Sequence, residues 1–180
     1  MRILKDQAIG VLIDVQEKLA PHIHEMEAVV SRQQVLIKGL QVLGVPVLVT
    51  EQYTKGLGGT LPELKESLTH YRPMEKMAFS CMDDPVFEEA LKESGRKAVI
   101  LSGIETHVCV LQTVLDLLED GYQPVVIEDC VSSRKEADKR ISLSRMEKEG
   151  AVISSVESIL FELCRVSGTE TFKHISKLVK

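Results

Sequence analysis

The sequence contains no tryptophan, and only 4% of its 180 residues are aromatic. Platforms for base stacking are therefore scarce. No basic stripe stands out and the net charge is −5, so no nucleic-acid partner is expected. No apolar run approaches the roughly 20 residues of a membrane span. The opening residues 1–6 lack the apolar core of a secretory leader. These absences predict a soluble cytoplasmic protein with no membrane partner. The four cysteines, Cys81, Cys109, Cys130 and Cys164, form no C-x-x-C pair, which argues against a zinc ribbon or a thioredoxin-type motif. In a reducing compartment they read as free thiols, each by default a small buried hydrophobe. Cys130 and Cys164 keep that reading. His22 and His24 alternate in a loop with no further ligands nearby, so no metal is expected there. No repeat, low-complexity tract or linker divides the chain, and a single domain over residues 1–180 is expected.

What is present is an alternation of apolar strands and amphipathic helices. Residues 8–14 (AIGVLID) form an apolar run ending in Asp14, the pattern of a strand buried on both faces. No G-x-G-x-x-G follows it, which disfavours a dinucleotide cofactor. Helical spacing runs from Met26 to Leu43 and stops at Gly44. Residues 45–50 then read as a second strand, with Pro46 near its start. Residues 51–60 read as a glycine-rich loop that lacks the Gly-Lys-Ser/Thr of a phosphate cradle. Pro62–Leu68 and Pro85–Ser94 read as helices, the second capped by Asp84. Lys76 falls in the loop region between them, among Met74, Met77 and Phe79. Its default reading is a solvated lysine with its stem on apolar surface. Further strands are expected at 98–101, 123–129 and 151–153. Further helices are expected at 107–120, from a Ser133–Glu136 capping box to Lys148, at 155–166 and at 169–179. The alternation predicts a three-layer α/β fold of Rossmann-like type: an open parallel sheet of five or six strands with helices on both faces.

One stretch concentrates chemistry. Residues 98–121 (AVILSGIETHVCVLQTVLDLLEDG) run from a buried strand, through a break at Ser102-Gly103, into a helix that is apolar nearly all round. That helix should be deeply packed or lie at a subunit interface. Cys109 falls in its first turn, at the carboxyl end of the sheet, where open α/β folds bind ligands. The unpaired N–H groups and the dipole of a helix start should ease ionisation of a thiol. Asp14 and Lys76 are the residues that one pocket could bring to Cys109. A carboxylate can take and return the thiol proton, an ammonium can support the thiolate, and the thiolate can attack an electron-poor carbon.

The chain resembles the isochorismatase-like cysteine hydrolases, the superfamily that includes nicotinamidases and N-carbamoylsarcosine amidases. The resemblance rests on residues 12–16 (LIDVQ), 76–80 (KMAFS) and 103–110 (GIETHVCV), and it runs from about residue 8 to 163. Residues 47–59, 103–109 and 130–134 look most like the branch called isochorismatase domain-containing proteins. The resemblance implies a triad of Asp14, Lys76 and Cys109. It implies a cis peptide between Ile104 and Glu105, and an oxyanion hole made by the backbone N–H groups of Glu105 and Cys109. Candidate pocket residues are Gln16, Glu51, Gln52 and Phe79. Nicotinamidases carry a metal-binding Asp-x-His after the second strand. Thr50-Glu51-Gln52 stands in that region here, so neither a metal nor another cofactor is implied. True isochorismatases cleave a vinyl ether and lack the nucleophilic cysteine, which separates them from a chain with Cys109. The implied activity is hydrolysis of a small-molecule amide or carbamoyl-type C–N bond by a homo-oligomer, a dimer or larger. The alternative is a non-catalytic scaffold or interaction protein that keeps the hydrolase fold. A thiol redox sensor would need a resolving cysteine near Cys109.

Overall fold

A computed structural model describes residues 2–180. Six strands form one sheet: β1 (Ala8–Ile13), β2 (Val47–Gln52), β3 (Pro73–Lys76), β4 (Ala98–Ile104), β5 (Gln123–Ser132) and β6 (Val152–Ser154). Their order is β3-β2-β1-β4-β5-β6, and every pairing is parallel. The helices are α1 (Met26–Val42), α2 (Thr54–Leu57), α3 (Pro62–Ser67), α4 (Pro85–Glu93), α5 (Leu111–Glu119), α6 (Glu136–Glu149), α7 (Val156–Cys164) and α8 (Glu170–Leu178). A π-helical turn, Thr106–Val110, leads into α5.

The two-residue period of a strand sends alternate side chains to opposite layers. In β1, Ile9, Val11 and Ile13 join a core with Phe87 and Leu91 of α4, Val114 and Leu117 of α5, and Met146 of α6. Ala8 faces the other way, into a core with Leu36 and Leu40 of α1, Ile159 and Leu160 of α7, and Ile175 of α8. Every residue of β1 and β4 is buried. That is why β1 and the first four residues of β4 read as apolar runs.

The departures from the sequence reading are concentrated at the carboxyl edge. β2 runs on to Gln52, so Glu51 and Gln52 belong to a strand and not to the following loop. β3 is a strand where a loop was expected. It is four residues long, starts at Pro73 and pairs with β2 alone, and such an edge tolerates a missing donor. β5 reaches Ser132 because the register with β4 shifts after Leu101↔Val126, so that Gly103 meets Val131.

The expected break at Ser102-Gly103 is instead a close backbone crossing inside β4. Gly103 has φ +131°, and a Cβ there would lie 2.2 Å from the carbonyl oxygen of Ile13. Only glycine can bring β4 that near to β1 in this conformation. The Ser133–Glu136 capping box does not form. α6 starts at Glu136 behind Lys135, which makes no side-chain cap, and Ser133 is buried at the end of β5 instead. α5 is packed into the core through Thr113, Val114 and Leu117, in line with the deeply packed reading. Cys164 is partly exposed rather than a core residue.

Candidate active site

In this strand order the chain reverses direction of winding between β1 and β4, and the carboxyl ends of those strands frame the crevice of an open α/β sheet. Asp14 is the first residue beyond β1. Its φ is +50°, a left-handed conformation that Asp tolerates better than most residues, and it turns the chain off the sheet there. Its side chain has no exposure to solvent. A buried carboxylate needs partners. Asp14 Oδ1 accepts from Thr50 Oγ1 at 2.7 Å, and Oδ2 accepts from Lys76 Nζ at 2.7 Å.

Lys76, at the end of β3, is 2% exposed, which overturns its reading as a solvated lysine. Its ammonium donates to Asp14 Oδ2, to Gln52 Oε1 at 2.8 Å, and to the carbonyls of Ala78 and Phe79, each at 3.0 Å. Three N–H groups thus serve four acceptors, and the charge is fully engaged inside the protein. Burial works against this ammonium, but the charge of the Asp14 carboxylate, joined at high pH by thiolate charge at Cys81 and Cys109, outweighs it and raises its pKa. Gln52 is fixed at both ends, because its Nε2 donates to the carbonyl of Met77 at 2.8 Å.

Cys109 sits in the π-helical turn after β4, directly ahead of α5, and the Ile104–Glu105 peptide before that turn is cis. Thr113, one turn on, anchors it: Thr113 Oγ1 donates to the Cys109 carbonyl at 2.7 Å and accepts from the Cys81 N–H at 2.9 Å. The Cys109 thiol lies within the fields of Asp14, Lys76 and Cys81. Cys109 is 7% exposed, whereas Cys81 and Cys130 are 0% exposed. The expectation of a readily ionised thiol is overturned. Burial pushes the Cys109 thiol up, the Asp14 charge adds to this, and the Lys76 ammonium only partly offsets them. The resting residue is a protonated thiol beside a carboxylate.

The remaining sequence candidates divide. Gln52 joins the group through Lys76. Glu51 alternates to the opposite face of β2, where its Oε1 accepts from Thr60 N at 2.6 Å, Thr60 Oγ1 at 2.8 Å and the hydroxyl of Tyr71. It organises the loop, away from the Asp14–Lys76 pair. Gln16 is a buried clamp: its Nε2 donates to the carbonyls of Gln52 at 2.9 Å and Gly58 at 2.7 Å, and its Oε1 accepts from Gln52 N at 2.7 Å. Phe79 contributes its carbonyl to Lys76 and is itself 54% exposed. Glu105 Oε1 lies 3.2 Å from Arg134 Nε without hydrogen-bond geometry, and His107 Nδ1 pairs with Ser133 Oγ at 2.9 Å. Sequence reasoning missed Thr50, Cys81 and Thr113 as members of this cluster. Thr50 was recoverable, since it shares a strand face with Gln52 once β2 is extended. Cys81 and Thr113 carried no local signal.

A parallel three-layer α/β sheet with a buried acid–lysine pair and a thiol at its switch point defines a class of α/β proteins with hydrolase members. The chain belongs to the isochorismatase family: the isochorismatase domain model matches residues 8–158. It is 40% identical to mouse isochorismatase domain-containing protein 2A over 180 residues, covering 99% of this chain and 85% of that protein. It is 39% identical to the secreted isochorismatase effector Isc1 of Phytophthora sojae, covering 99% and 87%. Among solved structures, the MAR1 ribonuclease of Caenorhabditis elegans superposes with a TM-score of 0.93 at 40% identity, over 99% of this chain and 92% of that one. The fold is therefore the family's hydrolase fold. Among the described residues no helix is long and apolar enough to cross a membrane.

Proposed function

We propose that this protein is a cysteine hydrolase of small amide or carbamoyl-type C–N bonds. The observation that carries this reading is the buried Asp14–Lys76 pair beside Cys109, which keeps slight exposure where Cys81 and Cys130 have none. Because the resting thiol holds its proton, Asp14 takes that proton as sulfur bonds to the carbonyl carbon. The backbone N–H groups of Glu105 and Cys109 receive the developing oxyanion, each typically worth about 3 kcal/mol. Asp14 returns the proton to the leaving nitrogen, which departs as ammonia or an amine and leaves a thioester on Cys109. Water then attacks the thioester, Asp14 takes its proton, and the acid leaves as the thiol is restored. Lys76 acts through its charge, holding Asp14 ionised and in place, since all its N–H groups are engaged.

The acid–lysine pair is neutral as a unit, which favours an uncharged small molecule over RNA as substrate. All four thiols are free, Cys81 and Cys109 among them, which supports a reducing compartment such as the cytoplasm. Exposed Met77 and Phe79 at the rim favour self-association into a dimer or larger. The test is ammonia release from a panel of primary amides and carbamoyl compounds, with RNA cleavage assayed in parallel. Turnover of at least one small amide by the parent, lost at least about 1,000-fold in Cys109→Ser, is expected. RNA cleavage without amide turnover, or full activity in Cys109→Ser, would overturn the reading.

A further inference from the structure

The Asp14–Lys76 pair has a second line of contacts that hydrolysis as described does not use. Thr50 Oγ1 is 2.7 Å from Asp14 Oδ1 and 3.9 Å from the sulfur of Cys81. All three groups are buried: Asp14 and Cys81 at 0% exposure and Thr50 at 1%. Proton counting fixes the direction of this chain. An ionised carboxylate only accepts, and a threonine hydroxyl has one proton. Thr50 therefore gives its proton to Asp14, and the contact with Cys81 has the thiol donating to Thr50 Oγ1. Burial and the charge of Asp14 push the Cys81 thiol up to about 12, so its proton stays in place near neutrality. Lys76 fills Oδ2 and Thr50 fills Oδ1, so each carboxylate oxygen has one buried donor.

We propose that Thr50 is a positioning residue for the proton-transfer step, the middle of a Cys81–Thr50–Asp14 donor chain that holds the carboxylate ionised and in one orientation toward Cys109. This rests on the reading of Asp14 as the base for Cys109. A donor to the charged form of an acid stabilises that form, and successive hydrogen bonds polarise one another in a dry site. Loss of the hydroxyl at position 50 removes one of the two buried donors to that carboxylate. Three titratable groups face Asp14: Lys76 from β3, Cys109 from the turn after β4, and Cys81 from the loop after β3. Lys76 stays charged and both thiols stay protonated below neutrality. The acid limb of Cys109 reactivity then reports Asp14 alone.

The experiment is alkylation of Cys109 by iodoacetamide between pH 4 and 9, read by peptide mass spectrometry so that Cys81 is scored separately. The parent, Asp14→Asn, Thr50→Val, Thr50→Ala, Thr50→Ser and Cys81→Ala are compared. The parent rate should fall on an acid limb that Asp14→Asn abolishes. In Thr50→Val and Thr50→Ala that limb should move up by about 1 pH unit, the scale of one lost hydrogen bond to a charge. Thr50→Ser should restore it, and Cys81→Ala, which leaves the Thr50–Asp14 bond intact, should move it by less. If the limb is present and sensitive to Asp14→Asn but coincides in the parent and both hydroxyl-free variants, the Thr50 assignment is wrong while the base role of Asp14 stands. If Thr50→Ser fails to restore the limb, the role is one of packing, which equally overturns the assignment. A parent without an Asp14-dependent limb overturns both readings.

Discussion

Lys76 shows why single residues are hard to judge from sequence. Its neighbours in the chain suggest a surface lysine with a packed stem, and the structure gives a buried ammonium held by four oxygens. The partner that decides its fate, Asp14, is 62 positions away. Breaking such a pair from one side is far more costly than the pair is stabilising, because a charge is stranded in the interior. The thiols teach a related lesson. Position at a helix start suggested easy ionisation of Cys109, but burial outweighs it. Cys81, Cys109 and Cys130 are all raised by burial first, with Asp14 adding at Cys81 and Cys109 and Asp129 at Cys130. In the unfolded chain a thiol ionises near pH 8.5. Between that pH and the folded value, about 12 for Cys81, the folded state holds more protons, so stability falls as pH rises. Each fully buried thiol sets a slope of up to about 1.4 kcal/mol per pH unit. Lys76, also raised, adds a loss of the same sign at still higher pH. Urea unfolding midpoints should decline from pH 8 to 10.5, and Cys130→Ala should decline less steeply. A midpoint flat across that range would contradict the burial-driven shifts.

At the scale of elements, the sequence told the centre of the sheet from its carboxyl edge unevenly. The cores of β1, β2, β4 and β5 were legible because buried parallel strands are apolar throughout. The last residues of β2, β4 and β5 were not, because Glu51-Gln52, Ser102-Gly103 and Ser132 are polar or small, and local composition assigns such residues to loops. They remain in strands because specific side chains and backbone approaches satisfy them there. β3 was invisible for the same reason, being four residues long, opened by proline and ending in two charged residues. The extension of β2 helps build the site, since it places Gln52 against Lys76 on the strand face from which Thr50 meets Asp14. Gln16 ties the end of β2 to the loop at Gly58 with three hydrogen bonds. Gln16→Leu leaves those backbone groups buried without partners and should destabilise the fold by about 3 kcal/mol. Hydrogen exchange of the Gln52 amide and of residues 53–61 should quicken in that variant, while the amides of β4 keep their protection. Unchanged exchange across 53–61 would show that the clamp does not hold the loop.

At the scale of the whole molecule, the fold and the site were legible to different degrees. Strand–helix alternation was enough for the layered parallel architecture, and three short segments were enough for the family. The family match to residues 8–158 and the 40% identity of whole-length relatives support that reading. The order β3-β2-β1-β4-β5-β6 draws Asp14, Lys76 and Cys109 together from three distant parts of the chain. The supporting cast of Thr50, Gln52, Cys81 and Thr113 needed the tertiary structure, because each acts through a partner remote in sequence. In the proposed mechanism this assembly drives covalent attack by Cys109. The most direct measurement is the mass of the protein quenched during turnover of a small amide, with the adduct located by peptide mapping. An added acyl group is expected on the peptide carrying Cys109, absent in Cys109→Ser and strongly reduced in Asp14→Asn. Ammonia release by a protein that never carries an adduct at Cys109, and that keeps its rate as Cys109→Ser, would contradict it.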